Sequence, residues 1–248
     1  MKKLILPNLR EMFIPDPGYT IFDCDLEQAD AQVVAWEADD PMLKEIFRDP
    51  DLDLHNENCK MMYGKLTPEL RKKIKAGVHA TNYGSSARTL AATLNSTVHE
   101  ADQFQKKWFS IHPNILKWHK DVELQLQSRR YVENKFGYRR MYFERVEGLL
   151  PEALAWIPQS TVGLVINHGW LNIDTNLPSV QILLQVHDSL VGQYPTPLDP
   201  YIKPKIREQL LIKVPYDDPL IIGVGIKTST SSWGEVKEAS WDDVAPTG

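Results

Sequence analysis

Cysteine is nearly absent from this 248-residue chain. Cys24 and Cys59 are the only two, there is no CxxC, and no His/Cys cluster has zinc spacing. That excludes a disulfide scaffold and a structural zinc module, and it points to a reducing compartment. Long apolar runs are also missing. The most apolar stretch, Leu149 to Ile166, is broken by Pro151, Glu152, Pro158 and Gln159, well short of the ~20 uninterrupted residues of a membrane span. The opening MKKLILPNLRE carries two lysines but an apolar run of only three residues before Pro7, too short for a signal peptide. Internal repeats, low-complexity tracts and Gly/Ser linkers are lacking as well. The reading is a cytoplasmic protein with no membrane partner. With 42% hydrophobic residues, 28 Lys+Arg and 33 Asp+Glu, the composition is globular, and a chain this long buries about three quarters of its unfolded surface in one large domain or two packed lobes.

The net charge of -5 hides a segregation. Residues 16 to 53 hold twelve acidic side chains against Lys44 and Arg48. Two later stretches are basic: Lys65, Arg71, Lys72, Lys73 and Lys75 face only Glu69, and Arg129, Arg130, Lys135, Arg139, Arg140 and Arg145 face Glu133 and Glu144. Hard carboxylate oxygens suit a metal cation, and Lys and Arg suit phosphates. Solvated helix faces are the bland alternative, and the acidic overall balance weighs against nucleic acid.

YTIFDCD at 19–25 reads as a strand and the following DAQVVAWEA as a helix. Asp40-Pro41 and Thr67-Pro68 start helices at about 41 and 68. Thr97 with Glu100 forms a capping box ahead of a long helix ending near Pro113. Another helix runs from Pro113 to about Arg130, a hairpin turns around Gly137, and 152–174 is helical with an interruption at Pro158. SVQILLQV and SLVGQY, separated only by His187-Asp188, have hairpin spacing. A short helix at about 204–212 precedes a final strand, LIIGVGIK. Strands at both ends with helices between them predict an α+β fold with an antiparallel sheet. In that arrangement Asp25, at a strand end, sits beside Asp188, at a hairpin tip.

Two aspartates from different strands are the simplest scaffold for two magnesium ions that clamp a phosphoryl displacement. Acidic residues are common at strand ends, and Asp23-Cys24-Asp25 is also the DxD of sugar-nucleotide transferases. LRKKIKAGVHATNYG is more specific. Arg71, Lys75, His79 and Tyr83 recur every four residues, so on a helix they form one slanting stripe roughly 18 Å long. Two cations followed by two rings suit a nucleoside triphosphate lying along the helix. The alternative is an amphipathic helix with a basic outer face, weakened by Gly77 and carrying His79 as a buried imidazole.

These segments together resemble family A (DNA polymerase I-like) DNA polymerases of a bacteriophage type. DLEQADAQ at 25–32 is similar to motif A through Asp25, Gln28 and Asp30; Arg71, Lys75, Tyr83 and Gly84 match motif B; and QVHDS matches motif C through His187 and Asp188. LDLH ending at His55, YVENKFGYRR and the Gln159 region resemble further family segments, so that the likeness spans about residues 8 to 234. The resemblance implies a palm at about 1–40 and 131–248, fingers at about 41–130, and template-directed addition of deoxynucleotides to a primer 3′-hydroxyl. Asp25 and Asp188, with the backbone carbonyl of Leu26, would hold two Mg2+ ions. Arg71, Lys75 and His55 would grip phosphates, His79 would pack on the incoming nucleotide, Tyr83 would close over the template site, and Gln28 and Asp30 would lie near the sugar. Arg139, Arg140, Gln159 and His187 would contact primer-template DNA.

Four residues depart from the family pattern. His79 stands where Phe or Tyr is usual, Asp30 where Glu blocks a ribose 2′-hydroxyl, Ser189 where motif C has Glu, and Leu26 where motif A has Tyr. The shorter Asp30 implies weaker ribonucleotide exclusion, while both metal-binding aspartates are retained. Only 24 residues precede Asp25, whereas the family places a thumb, and often an exonuclease, upstream. The expectation is therefore a split polymerase whose thumb and exonuclease lie on a separate polypeptide, or else a fragment; a catalytically idle nucleic-acid-binding or structural remnant is the runner-up reading.

Overall fold

The computed structural model describes residues 7–143 and 145–242; the opening MKKLIL and Glu144 of the second basic stretch lie outside them. Along the chain run β1 (Tyr19–Leu26), α1 (Ala29–Glu37), α2 (Pro41–Arg48), α3 (Leu54–Tyr63), α4 (Pro68–Asn82), α5 (Ala87–Leu94), α6 (Val98–Ile111), α7 (Pro113–Arg129), β2 (Tyr131–Glu133), β3 (Arg139–Met141), α8 (Leu150–Asn176), β4 (Gln181–Val186), β5 (Ser189–Pro195), α9 (Asp199–Leu210), β6 (Lys213–Val214), β7 (Leu220–Ile221), β8 (Val224–Ser229) and β9 (Lys237–Glu238). This is the α+β mixture with an antiparallel sheet that the element order predicts. The chain divides into two compact units. One comprises the chain up to Ala29, Val162–Val214 and the chain from Pro219 onward, and the other Asp30–Thr161 with Pro215–Asp218. Among the described residues no helix is long and apolar enough to cross a membrane.

The first unit is built on a five-stranded sheet in the order β4-β5-β1-β8-β9, with every pairing antiparallel. β1 lies between β5 and β8, so both its edges are paired, and Ile21, Phe22, Cys24 and Leu26 are buried. β4, at the edge, alternates exposed and half-buried residues instead, the signature of a strand covered on one face. Gly192 on β5 admits the Phe22 ring: a Cβ there would stand 2.5 Å from Phe22 Cζ. Phe22 in turn stacks on Tyr194 at 5.7 Å, whose hydroxyl donates to Asp199 Oδ1 at 2.6 Å.

The second unit is helical, and its helices start where side chains can satisfy unpaired N–H groups. Asp40 caps α2 through Leu43 N, Asp53 caps α3 through Asn56 N, Thr67 caps α4 through Leu70 N, and Thr97 with Glu100 makes the capping box of α6. Trp108 is fully buried, and its Nε1 donates to Asn82 Oδ1 at 2.9 Å. The Pro215–Asp218 loop belongs to this unit because Tyr216 donates to Glu37 Oε1 at 2.8 Å and Trp36 Nε1 donates to the Asp218 carbonyl at 2.8 Å. Gly137, at a φ of 82°, turns the short β2–β3 hairpin.

Three expectations are corrected. Pro158 does not interrupt its helix: α8 is continuous for 27 residues. A proline removes one helical hydrogen bond, and the buried face of Ala153, Leu154, Ile157, Thr161, Val162, Val165 and Ile166 holds the helix through the gap. LIIGVGIK is two strands rather than one, since β7 pairs with β6 in a separate sheet and β8 with β1. Between them the Gly223 carbonyl accepts from Glu27 N at 2.8 Å, and a Cβ on Gly223 would stand 2.6 Å from Glu27 Oε2. The helix expected at 204–212 begins earlier, at Asp199, with Pro200 in its first turn and Pro204 inside it.

Candidate active site

Asp25 sits near the end of β1, where its side chain is exposed although its neighbours Cys24 and Leu26 are buried. The antiparallel register places Asp25 opposite Ser189. Asp188 occupies the two-residue turn between β4 and β5, and its carbonyl accepts from Leu26 N at 3.0 Å. Residues from opposite ends of the chain are thus joined at one strand end, as the sequence predicts. Burial, the neighbouring Asp188 and then Asp23 all push the Asp25 carboxyl above its usual range, and Lys227 only partly opposes them.

Two non-glycine residues beside the pair have a positive φ. His187, just before Asp188, has a φ of 54°, and Gln28, just after β1, has a φ of 50°; non-glycine residues adopt such values rarely and tend to do so at functional sites. Both side chains are exposed. Two mutually repelling carboxylates with a backbone carbonyl nearby are the donor set that Mg2+ takes, since it uses one or two carboxylates and completes its shell with water and substrate phosphate. Among the described residues no group of three or more His, Cys, Asp or Glu side chains forms a closed metal cage. The Cys24 thiol is buried, and desolvation together with Asp23 and Asp25 pushes it well up, so it packs as an inert apolar group.

The stripe on α4 is exposed or half-exposed along its length, while Ile74, Gly77, Val78, Thr81 and Asn82 form the buried face. His79 is exposed, which removes the reading of a buried core imidazole, and its ring meets that of Tyr83 edge-on at 4.5 Å. The Tyr83 hydroxyl donates to Asp30 Oδ2 at 2.7 Å; burial first, then Asp30, pushes its pKa far up. Lys75 is exposed. Arg71 is engaged: its Nη2 donates to Asp53 Oδ2 at 3.0 Å and its Nε to Asn56 Oδ1 at 2.8 Å. His55 is half-buried with Nδ1 lacking a hydrogen-bond partner. Burial lowers the His55 pKa, with Arg71 and Lys75 reinforcing and Asp53 opposing.

Arg139 and Arg140 are exposed on β3, but each carries an ion pair, to Glu133 and Glu152 respectively. Gln159 is exposed on α8. The structure therefore gathers Asp25, Leu26, Gln28, His187 and Asp188 in the sheet unit, and Asp30, His55, Arg71, Lys75, His79, Tyr83, Arg139, Arg140 and Gln159 in the helical unit. Sequence reading misses Asp53 and Asn56 as partners of Arg71; the sole local signal is that Asp53 is an N-cap candidate. Asp23, which the sequence offers only as the first acid of a DxD, is buried and accepts from Trp233 Nε1 at 2.7 Å.

Residues 2–235 match the family model for DNA polymerase family A. The thermostable DNA polymerase I of Thermus filiformis is 28% identical over 93% of this chain, and DNA polymerase I of Pseudomonas aeruginosa is 26% identical over 92%. The chain spans 29% and 26% of the length of those relatives. Among solved structures, the POL domain of Pol1 from M. smegmatis, in complex with DNA primer-template and dNTP, superposes with a TM-score of 0.80 at 26% identity, covering 91% of this chain and 42% of that one. With a family match over nearly its whole length, the chain belongs to DNA polymerase family A.

Proposed function

We propose that this chain carries out the nucleotidyl-transfer step of template-directed DNA synthesis, adding deoxynucleotides to a primer 3′-hydroxyl. The observation that carries the reading is the Asp25–Asp188 pair at the end of β1, two carboxylates whose mutual repulsion calls for divalent cations. Asp25, Asp188 and the Leu26 carbonyl would hold two Mg2+ ions, which when bound supply activation of the primer hydroxyl and neutralisation of the triphosphate. Arg71, Lys75 and His55 bind the triphosphate, with Arg71 exchanging Asp53 and Asn56 for phosphate oxygens. His79 packs on the incoming base or sugar, Gln28 and Asp30 border the sugar, and Tyr83 closes over the template position. Arg139, Arg140, Gln159 and His187 contact primer-template DNA. In this reading the palm takes in about 1–40 and 131–248 and the fingers about 41–130.

The thumb and exonuclease of a complete polymerase we assign to a separate polypeptide, in a bacteriophage-type arrangement, or to a longer form of this chain; support comes from the match occupying under a third of each relative. The test is primer extension with Mg2+, run with and without the candidate upstream polypeptide. Wild type extends a primer and Asp188→Asn loses about a hundredfold or more, the several kcal/mol that metal-assisted charge stabilisation supplies. An Asp188→Asn protein that extends as fast as wild type would refute the proposal, and wild type inert under every condition would leave an idle remnant as the reading.

A further inference from the structure

Asp23 is the acidic residue of β1 that the proposed metal pair leaves unused. It lies two residues before Asp25, so both side chains leave the same face of the strand, about 6.7 Å apart along it. Its residue is only 8% exposed. Oδ2 accepts from Trp233 Nε1 at 2.7 Å, while Oδ1 is buried with no hydrogen-bond partner. The cross-strand residue is Lys227 on β8, whose Nζ pairs with Glu238 Oε1 at 3.4 Å. An incompletely paired buried carboxylate is costly to maintain, and an asparagine could accept the same indole N–H without the charge.

The indole is itself held from several sides. Trp233 N donates to the Phe13 carbonyl at 2.8 Å, the Phe13 ring meets Trp233 edge-on at 5.7 Å, and the Arg10 guanidinium lies 4.5 Å over its face. Gly234 closes the contact, since a Cβ there would stand 2.5 Å from Glu11 Cγ. Trp233 also joins Ile21 and Val191 in an apolar cluster on the sheet. The donor is thus fixed relative to β1, and so is the carboxylate it holds.

We propose that Asp23 is a positioning residue whose fixed negative charge, set behind Asp25, strengthens divalent-cation binding at the Asp25/Asp188 pair. This rests on the metal-binding reading above. A charge outside the ligand shell still acts on a dication because Coulomb attraction falls only as the inverse of distance, and on its buried side Asp23 is shielded from solvent.

Mn2+ titration of the full chain, followed by the electron paramagnetic resonance signal of the free ion, tests it without a turnover assay. Asp23→Asn keeps an oxygen for Trp233 Nε1 and removes only the charge. Its dissociation constant for Mn2+ rises about fivefold while its thermal midpoint stays near wild type. Asp23→Ser, also uncharged, shows the same loss and stands in should the amide variant fold poorly. Asp188→Asn is the control for the pair. If Asp188→Asn weakens binding but both Asp23 variants bind as wild type does, Asp23 merely anchors Trp233 and the proposal is overturned while the pair stands. If Asp188→Asn binds as tightly as wild type, the pair is not the metal site and this proposal falls with it.

Discussion

The guanidinium of Arg71 rests on Asp53 and Asn56, so any phosphate must compete with a carboxylate and an amide for it. Asp53 is a strong competitor. Burial alone would raise its pKa, but the N-cap bond from Asn56 and the Arg71 pair outweigh burial and hold it below the usual carboxylate range. Asp30 is tied in a similar way, accepting from Tyr83 at the C-terminal cap of α4. That tether holds a carboxylate one methylene shorter than the family's Glu. Lengthening it should extend the group toward a ribose 2′-hydroxyl: Asp30→Glu is expected to raise dNTP-over-rNTP discrimination about tenfold, the order of ~1.4 kcal/mol, read by competition in primer extension. Equal selectivity for the two proteins would sink this account. The stripe Arg71, Lys75, His79 and Tyr83 is legible in the sequence because residues four apart on a helix share a face. The Asp53 and Asn56 contacts are not, because they arise only when α3 packs beside α4.

Gly77 looks like a defect in α4 until its neighbour is seen. A Cβ there would stand 2.6 Å from Phe104 Cζ on α6, so the glycine is the recess into which the Phe104 ring sits. Two opposing terms then apply to Gly77→Ala. Helix propensity favours alanine by up to ~1 kcal/mol, whereas overpacking costs about 1–3 kcal/mol. Overpacking wins, and a thermal melt should show Gly77→Ala destabilised by about 1 kcal/mol. Gly77→Ala combined with Phe104→Leu should recover part of that loss; a stabilised single variant would show that the ring yields freely. Caps and prolines mark the starts of α2, α4 and α6 in the sequence because those signals are local. Pro158 misleads because the packing that keeps α8 continuous comes from residues remote in sequence, and the split of LIIGVGIK misleads because Gly223 answers to Glu27 rather than to a strand partner.

At the scale of the molecule, the sheet order β4-β5-β1-β8-β9 carries the functional consequence, since it sets a hairpin from late in the chain against the first strand and so creates a like-charged pair. The Asp25 carboxyl is raised by burial, then by Asp188 and Asp23. A carboxyl whose folded pKa exceeds its unfolded value weakens the fold above the folded pKa, and the penalty disappears once pH falls below the unfolded one. Asp188→Asn should therefore raise the thermal midpoint at pH 7.5 by about 1 °C, corresponding to ~0.5 kcal/mol or less for so exposed a group. The gain should shrink as pH falls through the Asp25 pKa toward the ordinary value of 3.8. A gain that is constant with pH, or absent, would mean that repulsion within the pair is not what strains the site. Period, capping and hairpin spacing are short-range constraints, so the sequence carries the α+β class, the starts of α2, α4 and α6, the four-residue stripe, and the places of Asp25 at a strand end and Asp188 at a hairpin tip. Tertiary structure alone decided which partners hold Arg71 and Asp30, why Gly77 is small, and that Asp23 lies buried on Trp233, since each depends on which surfaces meet once distant segments pack.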